Sequence, residues 1–200
     1  MNYFVTAIGT DSGKTLISAI LCEALKADYW KPVQAGLPRD SDIIAKLVPS
    51  SIIHPETYLL NTPASPHAAA KIDHIKIEIE KFVLPKTNNN LIIEGAGGCL
   101  VPLNDNDFVI DLANRLNTQI ILVANLYLGS INHTLLTVNL LKQRNLNVAG
   151  IIFNGKSNPE SERIILKHSN YRFLWHIKEE TEINQTIVKE YAEKLRQKLA

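Results

Sequence analysis

The sequence predicts an α/β fold in which a mostly parallel sheet carries helices on both faces. Three observations lead there. Short β-branched apolar runs alternate with longer stretches of helical periodicity along the chain. The runs Leu91-Ile92-Ile93 and Ile120 to Ala124 are apolar at every position, the pattern of strands buried on both faces. A chain of 200 residues, 46% hydrophobic and 20% charged, has the size and composition of one compact unit, taken here as residues 1–200.

Taken in order, Asn2 to Thr6 reads as a strand and Thr15 to Lys26 as a helix with apolar Leu16, Ala19, Ile20, Leu21 and Leu25. Tyr29 to Val33 is a short strand. Asp40-Ser41-Asp42 has the composition of a helix N-cap before Ile43 to Leu47. Ile72, Ile75, Ile79, Phe82 and Val83 recur at helical spacing, which predicts a helix over 72–83. Leu91 to Ile93 is a buried strand ending at Glu94. Phe108 to Leu116 is helical, Ile120 to Ala124 a strand, Asn132 to Arg144 helical and Val148 to Phe153 a strand. Helices at Ser157 to His168 and Thr181 to Lys198 flank a last strand near Arg172 to His176.

The formal net charge is +1, and the densest basic stretch, Lys189 to Lys198, is interleaved with Glu190 and Glu193. That is a solvated helix face, so no nucleic-acid partner is expected. No apolar run is long enough to cross a bilayer, and the N-terminus enters a strand without a basic leader. No membrane partner and a cytoplasmic location are therefore expected. Two cysteines make neither a disulfide framework nor a metal site. Cys22 falls in a core helical pattern, whereas Cys99 follows a glycine cluster and is expected to be exposed.

In a parallel α/β sheet, ligands bind beyond the carboxyl ends of the strands. The first such end carries Ala7-Ile8-Gly9-Thr10-Asp11-Ser12-Gly13-Lys14-Thr15, between a strand and a helix. Gly13-Lys14-Thr15 closes a phosphate-binding loop: glycine lets amides curl toward an anion, and the helix terminus adds positive potential. Lys14 is placed to neutralise a transferring phosphate and Thr15 to hold Mg²⁺. The strict spacing Gly-x-x-x-x-Gly-Lys-Ser/Thr is not met, because its first glycine would fall at Ile8 and the chain has Gly9 instead. The fold expected is accordingly P-loop NTPase-like, with ATP and Mg²⁺ as cofactors. Glu94, a charge at the end of an apolar strand beside Gly95-Ala96-Gly97-Gly98, is the best metal carboxylate. Asp42 is the second, although on its residues alone a helix cap is the better explanation. Lys31 reads either as a lysine after an edge strand or as a site residue; the shaped segment from Pro32 to Gly36 favours the site.

These pieces together resemble the dethiobiotin synthetases. The matching segments are Tyr3 to Thr6, Gly9 to Thr15, Lys31-Pro32-Val33-Gln34-Ala35-Gly36, Ser41-Asp42, Ser65-Pro66-His67, Ile93 to Gly98, Leu128-Gly129-Ser130-Ile131-Asn132-His133 and Asn154. They cover residues 3 to about 155 in the family's order, and the glycine cluster combined with Gly-x-Ile-Asn-His is the specific part. The resemblance implies ATP-dependent capture of CO₂ by 7,8-diaminopelargonic acid and ring closure to a cyclic urea. On that footing Lys14, Lys31 and Thr10 are catalytic. Asp11, Ser12, Gly13, Lys14, Thr15, Glu94, Gly97 and Asn154 surround the nucleotide. Thr10, Lys31, Ala35, Gly129 and Asn132 bind substrate, while Thr15, Asp42 and Glu94 hold the metal. Asn132 would act from a neighbouring subunit, which implies a homodimer with the site near its interface. His67 and His133 are read as structural.

The chain departs from the family's pattern at Ala7, usually glycine, at Asp11, frequently glutamate, and at Ala35, commonly Ser or Thr. The segment Leu174 to Glu180 lacks the expected Gly-x-x-Pro. Two rival classes fit the residues less well. A partitioning or cell-division switch ATPase would carry a lysine where Gly9 stands, and a cobyrinic acid-type amide synthase would need an added glutaminase domain.

Overall fold

The structure is a computed structural model and describes residues 1–199. Strand β1 (Asn2–Ala7) alternates its side chains between two cores: Tyr3, Val5 and Ala7 point one way and Phe4 the other. Helix α1 (Lys14–Leu25) follows, then β2 (Asp28–Trp30), β3 (Val33–Ala35), α2 (Asp40–Leu47), β4 (Ile53–His54), β5 (Tyr58–Leu60) and α3 (Pro66–Ile72). The second half runs β6 (Leu91–Gly98), α4 (Val109–Arg115), β7 (Gln119–Asn125), α5 (Ser130–Gln143), β8 (Val148–Asn154), α6 (Pro159–Ser169), β9 (Phe173–Ile177) and α7 (Gln185–Leu199).

Seven strands form one sheet in the order β4-β2-β6-β1-β7-β8-β9, every pair parallel. The first core, under α3 to α6, gathers Phe4, Trp30, Ile93, Val109, Val138, Phe153 and Ile165. The second, under α1, α2 and α7, gathers Val5, Ile17, Tyr29, Ile44, Ile92, Val188 and Leu195. The chain leaves β1 toward β2 and later crosses from β6 to β7 on the other side of β1. The crevice at the carboxyl end of β1 is thus the switch point where such sheets bind ligands.

The predicted helix over 72–83 is not formed. Helix α3 ends at Ile72, His74 takes a left-handed φ of 56°, and only a 3-10 turn at Ile79–Lys81 remains. Isoleucines of the segment also fit an alternating pattern that includes Ile77: Ile75 and Ile77 pack on the core from an extended segment while Lys76 between them is exposed. The predicted strand Tyr29 to Val33 is split at Pro32 into β2 and β3, and β3 pairs with β5 in a separate two-stranded sheet. Cys99 is buried, 5% exposed, against the Thr6 hydroxyl at 3.4 Å. No helix among the described residues is long and apolar enough to cross a membrane.

Candidate functional site

The loop between β1 and α1 is shaped by Gly13. Its φ of +90° is one that side chains with a Cβ rarely adopt, and a Cβ there would lie 2.2 Å from the Asn154 amide nitrogen. That amide, at the end of β8, donates to the Ser12 carbonyl at 3.0 Å and ties the loop to the neighbouring strand. Thr10 and Asp11 are exposed at the loop's tip, while Ser12 is buried and its hydroxyl donates to the Gly9 carbonyl at 3.1 Å. Lys14, 7% exposed, donates to the same carbonyl at 3.1 Å. Burial pushes its pKa down, with Glu94 pulling the other way.

Three oxygen-bearing side chains converge below the loop. The Thr15 hydroxyl, in the first turn of α1, lies 2.8 Å from Asp40 Oδ1 and 3.0 Å from Glu94 Oε1. Glu94, 1% exposed on β6, also accepts from Lys31 Nζ at 3.0 Å through Oε1 and from the Tyr29 hydroxyl at 3.0 Å through Oε2. Lys31 bridges Glu94 and Asp40, forming an ion pair with each. Burial opposes its charge, but the two carboxylates outweigh burial and raise its pKa. The two carboxylates are thus balanced within the protein by the buried ammonium between them, a pairing that compensates their burial.

The carboxylate that meets Thr15 and Lys31 beside Glu94 is that of Asp40. The start of α2 is held by Gln34, which accepts from the Asp40 amide at 3.2 Å, and this aims Asp40 at Thr15 and Lys31. Asp42, two residues on, faces away: it takes both Arg39 bonds, at 3.1 and 2.6 Å, and its side chain is 48% exposed. Asp42 therefore lies outside the cluster of Thr15, Asp40 and Glu94, because residues two apart on a helix do not share a face. The donor set of Thr15, Asp40 and Glu94 consists of oxygens only, as a hard cation such as Mg²⁺ requires. Among the described residues no cluster of three or more His, Cys, Asp or Glu could hold a metal by itself. A cation here therefore needs phosphate or water oxygens to complete its shell.

Two cavities meet at Lys31. One of about 350 Å³ is lined by Thr10, Asp11, Gly13, Lys14, Thr15, Lys31, Asp40, Glu94 and Gly97. The other, about 460 Å³, is lined by Thr10, Lys31, Gln34, Ala35, Asp40, Ser65, Pro66, Gly97 and their neighbours. The first has the phosphate loop as its wall, and the second is a chamber beside it. Gly129 and Asn132 do not line either one. Gly129 faces a separate hollow between the loops after β7 and β8, and Asn132 is exposed on α5. His67 meets the Ser65 hydroxyl at 3.1 Å and His133 meets the Tyr127 hydroxyl, both on exposed surface. Reasoning from the sequence missed Asp40, Gln34 and Tyr29. For Tyr29 a signal existed: it lies two residues before Lys31 in the strand the sequence predicts from Tyr29 to Val33, hence on the same side of it.

A family model described as an AAA domain matches residues 1–186. A curated protein of Cytophaga hutchinsonii, named ATP-dependent dethiobiotin synthetase BioD, is 60% identical over 197 residues, covering 96% of each chain. The protein of that name from Christiangramia forsetii is 48% identical over 202 residues, covering 99% of this chain and 97% of its own. Among solved structures, the ParA family ATPase of Chlorobium tepidum superposes with TM-score 0.57 at 14% identity, covering 99% of this chain and 96% of that one. The septum site-determining protein MinD of Pyrococcus horikoshii, complexed with Mg-ADP, does so with TM-score 0.56 at 16% identity, covering 100% and 93%. At such identities the two ATPases share the fold and nothing more is drawn from them.

Proposed function

The chain belongs to the ATP-dependent dethiobiotin synthetases, and on that premise we propose how its residues divide the work. The enzyme joins 7,8-diaminopelargonic acid and CO₂ at the expense of ATP. One amine adds to CO₂, forming an N–C bond and releasing a proton, to give a carbamate. A carbamate oxygen takes the γ-phosphoryl group and ADP leaves. The second amine then attacks the carbamoyl carbon, phosphate departs, and the cyclic urea closes. The observation that carries this reading is the meeting of two cavities at Lys31, one walled by the phosphate loop and the other a chamber beside it.

In the first cavity, the amides of residues 11–15 and Lys14 cradle the triphosphate. Thr15, Asp40 and Glu94 would hold Mg²⁺ with the phosphates, and that ion would neutralise charge developing on the phosphoryl oxygens. Lys31 is already charged by its two carboxylate partners, and it lines both cavities. Its ammonium is placed to turn toward a carbamate and a γ-phosphate together, a transition-state role. Thr10 lines both spaces as well and lies beside the transferring group. Ala35 lines the substrate chamber without a hydroxyl, so one polar contact common in the family is supplied otherwise or lost. Asn154, anchored on Ser12, borders the nucleotide at the side of its base.

We also propose that the enzyme works as a homodimer whose second copy brings Gly129 and Asn132 to the substrate's carboxylate. Two features support this: those residues lie apart from Lys31, and Tyr127, Leu128, Ile131 and Leu136 leave an apolar surface exposed around them. The test of the reaction is phosphate release from ATP by purified protein. Release is expected only with both diaminopelargonic acid and bicarbonate present. Vigorous release with neither would favour a switch ATPase instead.

A further inference from the structure

Glu94 has two carboxylate oxygens, and the structure gives them different work. Oε1 faces the site, accepting from Thr15 and Lys31, each at 3.0 Å. Oε2 points back into the protein and accepts one bond, from the Tyr29 hydroxyl at 3.0 Å. We propose that Tyr29 is a positioning residue for the metal carboxylate: its hydroxyl fixes the rotation of Glu94 so that a single oxygen is presented to the cation.

The strand geometry makes this arrangement rigid. Tyr29 on β2 pairs in register with Ile92 on β6, and Glu94 lies two residues further along β6 on the same face. The Tyr29 ring is fully buried in the core beneath α1, beside Ile92 and Ile44. Its hydroxyl therefore stays where the strand puts it. A carboxylate with one oxygen fixed by a buried donor cannot rock between one-oxygen and two-oxygen contact with a cation. Outer partners that orient a metal ligand in this way characteristically hold about 10–100-fold of metal affinity. The role belongs to Tyr29 specifically, since Lys31 and Thr15 both contact the other oxygen.

This inference rests on the Mg²⁺·ATP reading of the site, and the test separates the two. Mn²⁺ serves as the probe, and the loss of its free-ion electron paramagnetic resonance signal is followed in the presence of ADP. The wild-type protein should bind Mn²⁺·ADP, and failure to do so would remove the reading of the site itself. The Tyr29→Phe variant should bind Mn²⁺·ADP about 10-fold or more weakly, while metal-free ADP binding is unchanged. Unaltered Mn²⁺ affinity in Tyr29→Phe, with or without a lower melting temperature, would overturn the proposal. Should that variant not fold, 3-fluorotyrosine placed at position 29 alone keeps the hydroxyl and gives a ¹⁹F signal. That line should move when Mg²⁺ is added to the ADP complex, and an unmoved line would equally overturn it.

Discussion

Two buried carboxylates sit on neighbouring strands at opposite ends of the sheet. Asp28, 2% exposed at the start of β2, is closed off: Thr87 donates at 2.6 Å, Asn89 at 3.0 Å, and the His54 ring lies at 3.2 Å. Burial works against its charge, but those bonds and His54 outweigh burial and hold its pKa below the usual range. Glu94, 1% exposed, also accepts three bonds, yet two come from Lys31 and Thr15, which border open cavities. Burial of a charge thus does not mark a site. What sets Glu94 apart is that two of its partners, a cation and a hydroxyl, border open cavities, whereas the donors to Asp28 tie the segment around 87–90 to β2.

That contrast can be broken most severely at the loop. Lys14→Ala should reduce phosphate release by about 10²–10³-fold or more while the circular dichroism spectrum and melting temperature stay near those of the wild type. Retained turnover would remove the loop from the chemistry. Lys31→Ala should lower kcat by about 10²-fold and change KM for ATP far less, as expected for a group acting in the transition state. Equal losses in both would reduce it to a binding residue.

A finer test compares two aspartates on one helix. Asp40→Asn should weaken Mg²⁺-dependent turnover about 10-fold or more, while Asp42→Asn on exposed surface stays within about 2-fold, since such substitutions shift little. Titrating Mg²⁺ in the steady-state assay distinguishes them, and the reverse order would return the metal role to Asp42. The smallest effect on activity belongs to Asp28→Asn, which should leave kcat unchanged and lower stability by about 1–3 kcal/mol in urea. The sign with pH follows from the depressed pKa. The stabilisation is present above the ordinary aspartate value of about 4 and fades as pH falls through the lower folded value. The gap between wild type and variant should therefore narrow in acid.

Much of this was legible in the residues because it is local. Gly13-Lys14-Thr15 between a strand and a helix needs no tertiary information, and a charge ending the run Leu91 to Ile93 announces Glu94 by itself. The sheet was legible for the same reason, since a strand buried on both faces reads as continuous apolar sequence. What escaped depends on direction. Asp40 and Asp42 lie two apart, and only the Gln34 contact on the first turn of α2 decides which of them faces Thr15. Tyr29 reads as an ordinary core aromatic until its hydroxyl is seen to end at Glu94. The 72–83 segment carries isoleucines that fit a helix and an alternating strand alike, and a left-handed His74 settled the choice. The roles proposed for Gly129 and Asn132 rest on the proposed homodimer, which no local stretch of one chain encodes.

The central claim is that one divalent cation binds Thr15, Asp40 and Glu94 against the nucleotide's phosphates. A crystal structure with Mn²⁺ and a non-hydrolysable ATP analogue tests it, the metal being located by its anomalous signal. The account predicts an anomalous peak coordinated directly by the Thr15 hydroxyl and in contact with the carboxylates of Asp40 and Glu94. A peak on the phosphates with Glu94 still turned to Lys31 and away from the metal would contradict it.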